Sequence, residues 1–157
     1  MNHREQLWLS GIIGTLLFFV TLALSPLFHL APMRVPLWTG GFLTLNLGVA
    51  SFLGYLLDFL IGVGLAWLYD QWRKGAVRRT VGHHLAFGTL LWLFMMIIGF
   101  PLFDLLSPLV QHGYFLGPGI FLWRLGFWAP VLWLAASLAY GLSVGYLLDV
   151  PLASFYR

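Results

Sequence analysis

The sequence predicts an all-α, polytopic membrane protein with four transmembrane helices, and three observations support this prediction. Hydrophobic residues make up 61% of the 157-residue chain and charged residues only 8%, against about 25% in an average soluble domain. A soluble domain of this length buries only about 70% of its chain's surface, which is too little to shield so many apolar side chains from water. Several apolar runs also reach the roughly 20 residues that one bilayer crossing needs.

The apolar runs predict a single membrane domain over 1–157, with proline- and glycine-rich breaks between the spans. The four predicted spans cover about 7–28, 50–72, 84–103 and 128–148. The apolar stretch over 37–69 is too long for one span, because it would extend about 50 Å as a helix across a core about 30 Å thick. We therefore expect 36–46, and similarly 120–126, to form short pieces that lie on the membrane or dip into it.

The two halves of the chain resemble each other, which predicts two tandem helix hairpins over 6–73 and 81–149. The matching segments are Gly14-Thr15-Leu16-Leu17 with Gly88-Thr89-Leu90-Leu91, Pro26-Leu27-Phe28 with Pro101-Leu102-Phe103, Gly62 with Gly141, and Leu68-Tyr69-Asp70 with Leu147-Leu148-Asp149. Each hairpin returns to its starting side, so the repeats are parallel and related by an axis along the membrane normal. Pro26 and Pro101 are expected at the same place in each half, near the end of the first and third spans.

Lysine and arginine residues predict the orientation, because cytoplasmic loops of membrane proteins carry an excess of both. One side of the predicted membrane domain holds Arg4, Arg73, Lys74, Arg78, Arg79 and Arg157, and the other holds Arg34 and Arg124. Both termini are therefore expected in the cytoplasm. The tryptophans are typical of interfacial aromatic belts; they include Trp8, Trp38, Trp67, Trp72, Trp123 and Trp128.

The composition excludes several kinds of chemistry. The chain has no cysteine, so it forms no disulfide, cysteine-ligated zinc site or iron–sulfur site and has no thiol nucleophile. The formal net charge of +3 is too small and too dispersed to indicate nucleic-acid binding. No nucleophile–base pair or pair of acids stands out, and no catalytic residue is predicted.

Asp58 is the most informative single residue, because an ionisable group inside a span is costly and indicates function. Steps of four along its helix place small residues on the same face, and the second half carries an equivalent face in which Ser137 corresponds to Asp58. Small residues allow helices to approach closely; the predicted packing residues are Gly54, Gly62, Ala66, Ser137, Gly141 and Gly145. Asp58 is thus a proton or cation site, a hydrogen-bonded carboxyl that pins the bundle, or the partner of a cation on another subunit.

His29 and Asp104 follow the two Pro-Leu-Phe segments, so both are expected at one depth near the outer surface, with His112 close to Asp104 in sequence. These side chains are either ligands of a metal or heme, or ordinary polar residues at headgroup level. They come from separate loops, and no metal site is predicted. His83 and His84 are expected at the cytoplasmic interface.

A hydrophilic connector over 71–80 carries a cytoplasmic basic loop of Arg73, Lys74, Arg78 and Arg79. The loop either anchors the topology or contacts anionic lipid or an acidic partner. No cofactor is predicted, although contact with lipid is expected and contact with heme or quinone is left open.

The Gly-Thr pairs that open the odd spans, Gly14-Thr15 and Gly88-Thr89, and the glycine-rich close of the even spans carry a family resemblance. The chain resembles small bacterial four-helix inner-membrane proteins of uncharacterised families. This resemblance implies the fold and a bacterial inner-membrane location, and it implies no activity.

Two functions follow as hypotheses. The first is a non-catalytic accessory or structural subunit of a larger respiratory or photosynthetic membrane complex, in contact with other membrane subunits. The second is a small oligomeric channel or transporter that uses Asp58, because repeats are common in transporters.

Overall fold

The computed structural model describes residues 2–30, 32–75 and 80–149, and this part of the chain is helical without strands. Four helical segments are long and apolar enough to cross a membrane: His3–Phe28, Leu47–Lys74, Val81–Leu106 and Ala129–Asp149. The predicted all-α membrane fold with four spans is confirmed.

Local capping explains where two of the spans begin. Helix α1 covers His3–Leu22, and a 3-10 turn over Ser25–Phe28 follows it. Asn2 accepts a hydrogen bond from the Glu5 backbone N–H at 2.9 Å while the Glu5 carboxylate accepts from the Asn2 N–H at 3.0 Å, a capping box. Helix α2 covers Val35–Gly40, and α3 covers Leu47–Lys74. The Asn46 side chain caps α3 and so starts it three residues before the predicted position.

The third span passes through Pro101 without a break and ends at Leu106, three residues after its predicted end. The span begins as α4, Val81–Phe94, passes through a π-helical turn, Met95–Gly99, and continues as α5, Phe100–Leu106. A proline in a helix interior removes one N–H donor and clashes with a preceding carbonyl group. The wider π turn lies directly before Pro101 and accommodates it, so the helix continues. Pro26, by contrast, lies in the 3-10 turn after the end of α1.

The assignment of Arg73 and Lys74 to a loop is wrong, because α3 continues to Lys74. Arg73 is buried, with only 7% of its surface exposed. Arg78 and Arg79, the other two residues of the predicted basic loop, lie outside the described residues.

Helix α6, Pro108–Gln111, and a second short turn, Ile120–Leu125, lead to the last span, α7, Ala129–Asp149. Helices α1 and α7 are central: α1 packs between α3 and α7, and α7 packs between α1 and α4. Helix α2 runs antiparallel along the first turns of α3, with Gly40 against Ala50 and Pro36 against Gly54. This short segment is therefore packed against α3.

The four spans define two ends of the bundle. The ionic end is the end at which α1 and α4 begin and α3 and α7 finish, and it contains His3, Arg73, His84 and Asp149. The opposite end contains the short helices and an aromatic core. In that core Trp38 stacks on Trp133 at 6.4 Å between ring centroids, and Phe100 meets Trp133 edge-on at 4.9 Å. Trp38 is thus a core residue and not part of an interfacial belt.

Candidate functional site

A buried arginine at the ionic end joins the last turns of α3 and α7. The guanidinium of Arg73 donates to the Asp70 carboxylate at 2.8 Å from Nε, and to Asp149 at 2.8 Å from Nη1. Nη1 also donates to the Leu148 backbone carbonyl oxygen at 2.9 Å. Planar guanidinium groups suit such multiple contacts because their donors point in fixed directions. Arg73 therefore neutralises carboxylates from both halves of the chain.

Side chains from α1 and α4 complete this cluster. Nε2 of His3 lies 3.1 Å from Asp70, and Lys74 lies 3.3 Å from the same carboxylate. Nε2 of His84 lies 3.4 Å from Asp149, while its Nδ1 is hydrogen-bonded to the Tyr69 hydroxyl at 2.5 Å. All four spans thus contribute a polar group to one network.

Gln6 adds a further link between α1 and α7 next to this network. Its side-chain amide donates to the Leu147 backbone carbonyl oxygen at 2.6 Å. Gln6 and Asp70 are both buried, with 6% and 2% of their surfaces exposed. Buried polar groups are normally paired in this way, since an unpaired one is costly. The network can fix the relative positions of the helices.

The sequence carried a signal for part of this network. Asp70 and Arg73 are three residues apart, which places both on one face of a helix, and Asp149 matches Asp70 in the predicted repeat. His84 was expected at the interface, and its burial could not be predicted from the sequence in the same way. It results from the close approach of α4 to α7, where the His84 imidazole lies over Gly145.

Asp58 lies inside the second span, about 16 Å from the start of α3 at 1.5 Å per residue. It is buried, and its Oδ2 atom has no hydrogen-bond partner among the described residues. The Thr39 hydroxyl of α2 is the side-chain group that interacts with this carboxyl. That hydroxyl also lies 3.2 Å from the Val35 carbonyl oxygen, and it has only one hydrogen to donate. Asp58 is thus less fully hydrogen-bonded than the carboxylates at the ionic end.

The predicted small residues lie at helix contacts. Gly54 faces the Pro36 backbone of α2, and Gly62 faces Gly11 and Thr15 of α1. A methyl group at either glycine would overlap these atoms. The Gly62 carbonyl oxygen also accepts a 2.5 Å hydrogen bond from Tyr140 of α7. Ala66 is fully buried in the core next to the ionic end.

The equivalent face of α7 packs against α4 rather than against Asp58. Gly141 meets the His84 carbonyl oxygen and the Gly88 backbone, and Gly145 meets the His84 ring. Ser137 is buried, and its carbonyl group lies against Gly88. Asp58 and Ser137 are therefore in two different helix contacts, one with α2 and one with α4.

The three predicted outer-surface residues do not form one site. Asp104 accepts hydrogen bonds from Arg124 at 3.3 Å and from the Gly119 N–H at 3.0 Å. His29 follows the 3-10 turn with a left-handed backbone, φ 56°, and His112 ends α6. Among residues 2–30, 32–75 and 80–149, no three His, Asp or Glu side chains are arranged to hold a metal ion.

No protein-family model, curated protein or solved structure matches this chain. Four apolar spans place it in the class of multi-pass α-helical membrane proteins. The main polar features of its described residues are the Arg73 network at the ionic end and the buried Asp58 of α3.

Proposed function

We propose that this protein is a non-catalytic accessory or structural subunit of a larger membrane assembly of the respiratory or photosynthetic kind. The observation that carries this proposal is the uneven packing of the spans. Helix α4 packs on α7 along one side, and 22% of the most apolar part of its span is buried, against 28% for each of the first two spans and 50% for α7. A long apolar flank therefore remains available to another membrane subunit.

The exposed side chains of this flank form a stripe along the third span. It consists of Leu90, Phe94, Ile97, Ile98, Leu102 and Leu105. Packing of side chains drives association between helices in a bilayer, where lipid tails are as apolar as leucine. The polar groups of the ionic end are engaged with one another, which favours a structural role for them.

Site-specific photo-crosslinking tests the proposal. A photoreactive phenylalanine analogue replaces Phe94 on the flank, and the matched control replaces Phe52, which is 65% exposed on α3. We expect crosslinks in native membranes from position 94 to one discrete membrane protein, and none from position 52. Purification as a stable homo-oligomer, with crosslinks only to lipid or to a second copy, would contradict the proposal.

A channel or transporter is the second candidate, and the orphan Oδ2 of Asp58 favours it. A buried carboxylate oxygen without a donor can bind a proton or a cation. If Asp58 carries ions, the Asp58→Asn variant should show no ion flux in liposomes. Thr39→Val, which keeps the carboxylate, is the matched variant and should retain flux. Equal flux in wild type and Asp58→Asn removes Asp58 from the mechanism.

The proposed location is the bacterial inner membrane with the ionic end in the cytoplasm. The described residues Arg4, Arg73 and Lys74 lie at that end, and Arg34 and Arg124 lie towards the other. The positive-inside rule supports this orientation. Reporter fusions to the chain after Asp149 test it, since a cytoplasmic reporter should be active and a periplasmic one inactive.

We also propose that the two halves arose by duplication. The crossing of α1 with α3 and that of α4 with α7 support this, because each brings a glycine of the later helix, Gly62 or Gly141, against the backbone of the earlier one. Asp70 and Asp149 also lie near the ends of the two later helices and share Arg73. The different behaviour of Pro26 and Pro101 shows where the halves differ.

A further inference from the structure

A groove lies between α1 and α3 near the ionic end. Its volume is about 280 Å³, and it is lined by Arg4, Leu7, Trp8, Val63, Gly64 and Trp67. Arg4 is the charged residue among these, and the remaining lining is apolar or aromatic. The volume is slightly below the range of about 300–1,000 Å³ for sites that enclose small ligands. The groove therefore suits part of a long, flexible apolar molecule.

Gly64 forms the open floor of this groove. The neighbouring Gly54 and Gly62 lie against the backbones of other helices, but nothing lies within 4 Å of the position where a Gly64 side chain would begin. A glycine inside a helix costs roughly 0.5–1 kcal/mol relative to alanine. No helix contact in the described part of the chain requires a glycine at position 64, so helix packing does not explain this cost. Its effect is a gap between the indoles of Trp8 and Trp67, which are 53% and 55% exposed.

The Arg4 side chain at the mouth of the groove is exposed and makes no hydrogen bond or ion pair with a described residue. Arg73, at the same end, is saturated by two carboxylates. An unpaired guanidinium next to a membrane attracts negatively charged headgroups, and it fits a phosphate group well. The available charge at the mouth is thus positive.

The lining residues lie at depths that match the headgroup, the boundary region and the acyl chain of a lipid. Arg4 is in the first turn of α1, Trp8 is one turn deeper, and Gly64 lies about 15 Å from the end of α3. Cations suit the headgroup level, tryptophan rings suit the boundary with the hydrocarbon, and an open apolar floor suits an acyl chain.

We propose that this groove binds one anionic phospholipid, with its phosphate at Arg4 and one acyl chain over Gly64 between Trp8 and Trp67. The proposal is independent of the accessory-subunit function. Its selectivity for anionic over zwitterionic lipid comes from Arg4, and its shape comes from Gly64. A second copy of the chain on this surface is an alternative that the experiment distinguishes.

Native mass spectrometry of the full-length detergent-solubilised protein tests the proposal with phosphatidylglycerol and phosphatidylcholine of identical chains. We expect one phosphatidylglycerol molecule to bind at least several-fold more tightly than phosphatidylcholine. Arg4→Gln should weaken that binding about fivefold. Gly64→Leu should fill the floor and remove the bound lipid. Arg34→Gln removes the same charge at the far end of the bundle and should leave binding unchanged.

The outcomes are distinct. Equal binding of the two lipids, an unchanged affinity in Arg4→Gln, or an equal loss in Arg4→Gln and Arg34→Gln would overturn the proposal. A dimer that Gly64→Leu dissociates would also overturn it in favour of a second copy. Thermal unfolding of each variant accompanies the measurement, and Arg4→Gln, at an exposed position, keeps the test decisive where Gly64→Leu is unstable.

Discussion

The two ends of the bundle are held together by different interactions. At the ionic end, Arg73 holds carboxylates from α3 and α7, and His3 and His84 add contacts from α1 and α4. At the opposite end, aromatic rings around Trp133 and the tightly packed α2 replace this network. The one described ion pair there, Asp104 with Arg124, involves an arginine that is half exposed. The comparison shows that a buried charge network is concentrated where all four spans meet.

Arg73→Met gives the largest expected effect. It leaves Asp70 and Asp149 without their guanidinium partner, and breaking a buried ion pair in this way costs about 3–5 kcal/mol. Unfolding in mixed micelles measures the loss. Lys74→Met is the control, because Lys74 is exposed and its pair with Asp70 should contribute no more than about 1 kcal/mol. Similar losses in both variants would show that the ionic end is not held by Arg73.

Gly54→Ala gives the next largest effect, because the added methyl group overlaps the Pro36 carbonyl of α2. Overpacking of this kind costs about 1–3 kcal/mol. The matched control on the same helix is Gly64→Ala, which points into open space and should be neutral or stabilising by up to about 1 kcal/mol. The two variants are compared by thermal unfolding. If they are equally stable, close contact between α2 and α3 does not hold the opposite end.

Arg124→Gln gives the smallest expected effect. The Arg124 side chain is 54% exposed, and an exposed ion pair contributes no more than about 1 kcal/mol. Asp104 also keeps the hydrogen bond from the Gly119 N–H. The same unfolding assay applies, and a loss as large as that of Arg73→Met would remove the distinction between the two ends.

The sequence was sufficient to predict the four spans because hydrophobicity over some 20 residues depends little on tertiary detail. It also placed Gly54, Asp58, Gly62 and Ala66 on one helix face, and the structure buries all of them. It could not show that α2 packs against Asp58, because this contact depends on the path of a short helix with no periodic signal. The π turn over Met95–Gly99 was not predicted for the same reason.

The Arg73 network could be predicted only in part. The spacing of Asp70 and Arg73 indicates a local pair, but the third member, Asp149, is at the other end of the sequence and is reached only when α7 packs beside α1. His84 was expected at the interface because it lies at the start of the third span, and its burial follows from the glycines of α7 that let α4 approach. Contacts between distant segments were the missing information.

The pairing of Arg73 with Asp149 has a consequence for biogenesis. Synthesis proceeds from the N-terminus, so α3 enters the membrane with Asp70 and Arg73 before the last turn of α7 exists. Until Asp149 and the Leu148 carbonyl group arrive, Arg73 lacks two of its acceptors. The last described helix therefore completes the charge balance of the first hairpin, and a nascent chain that stops before α7 keeps Arg73 without these two acceptors.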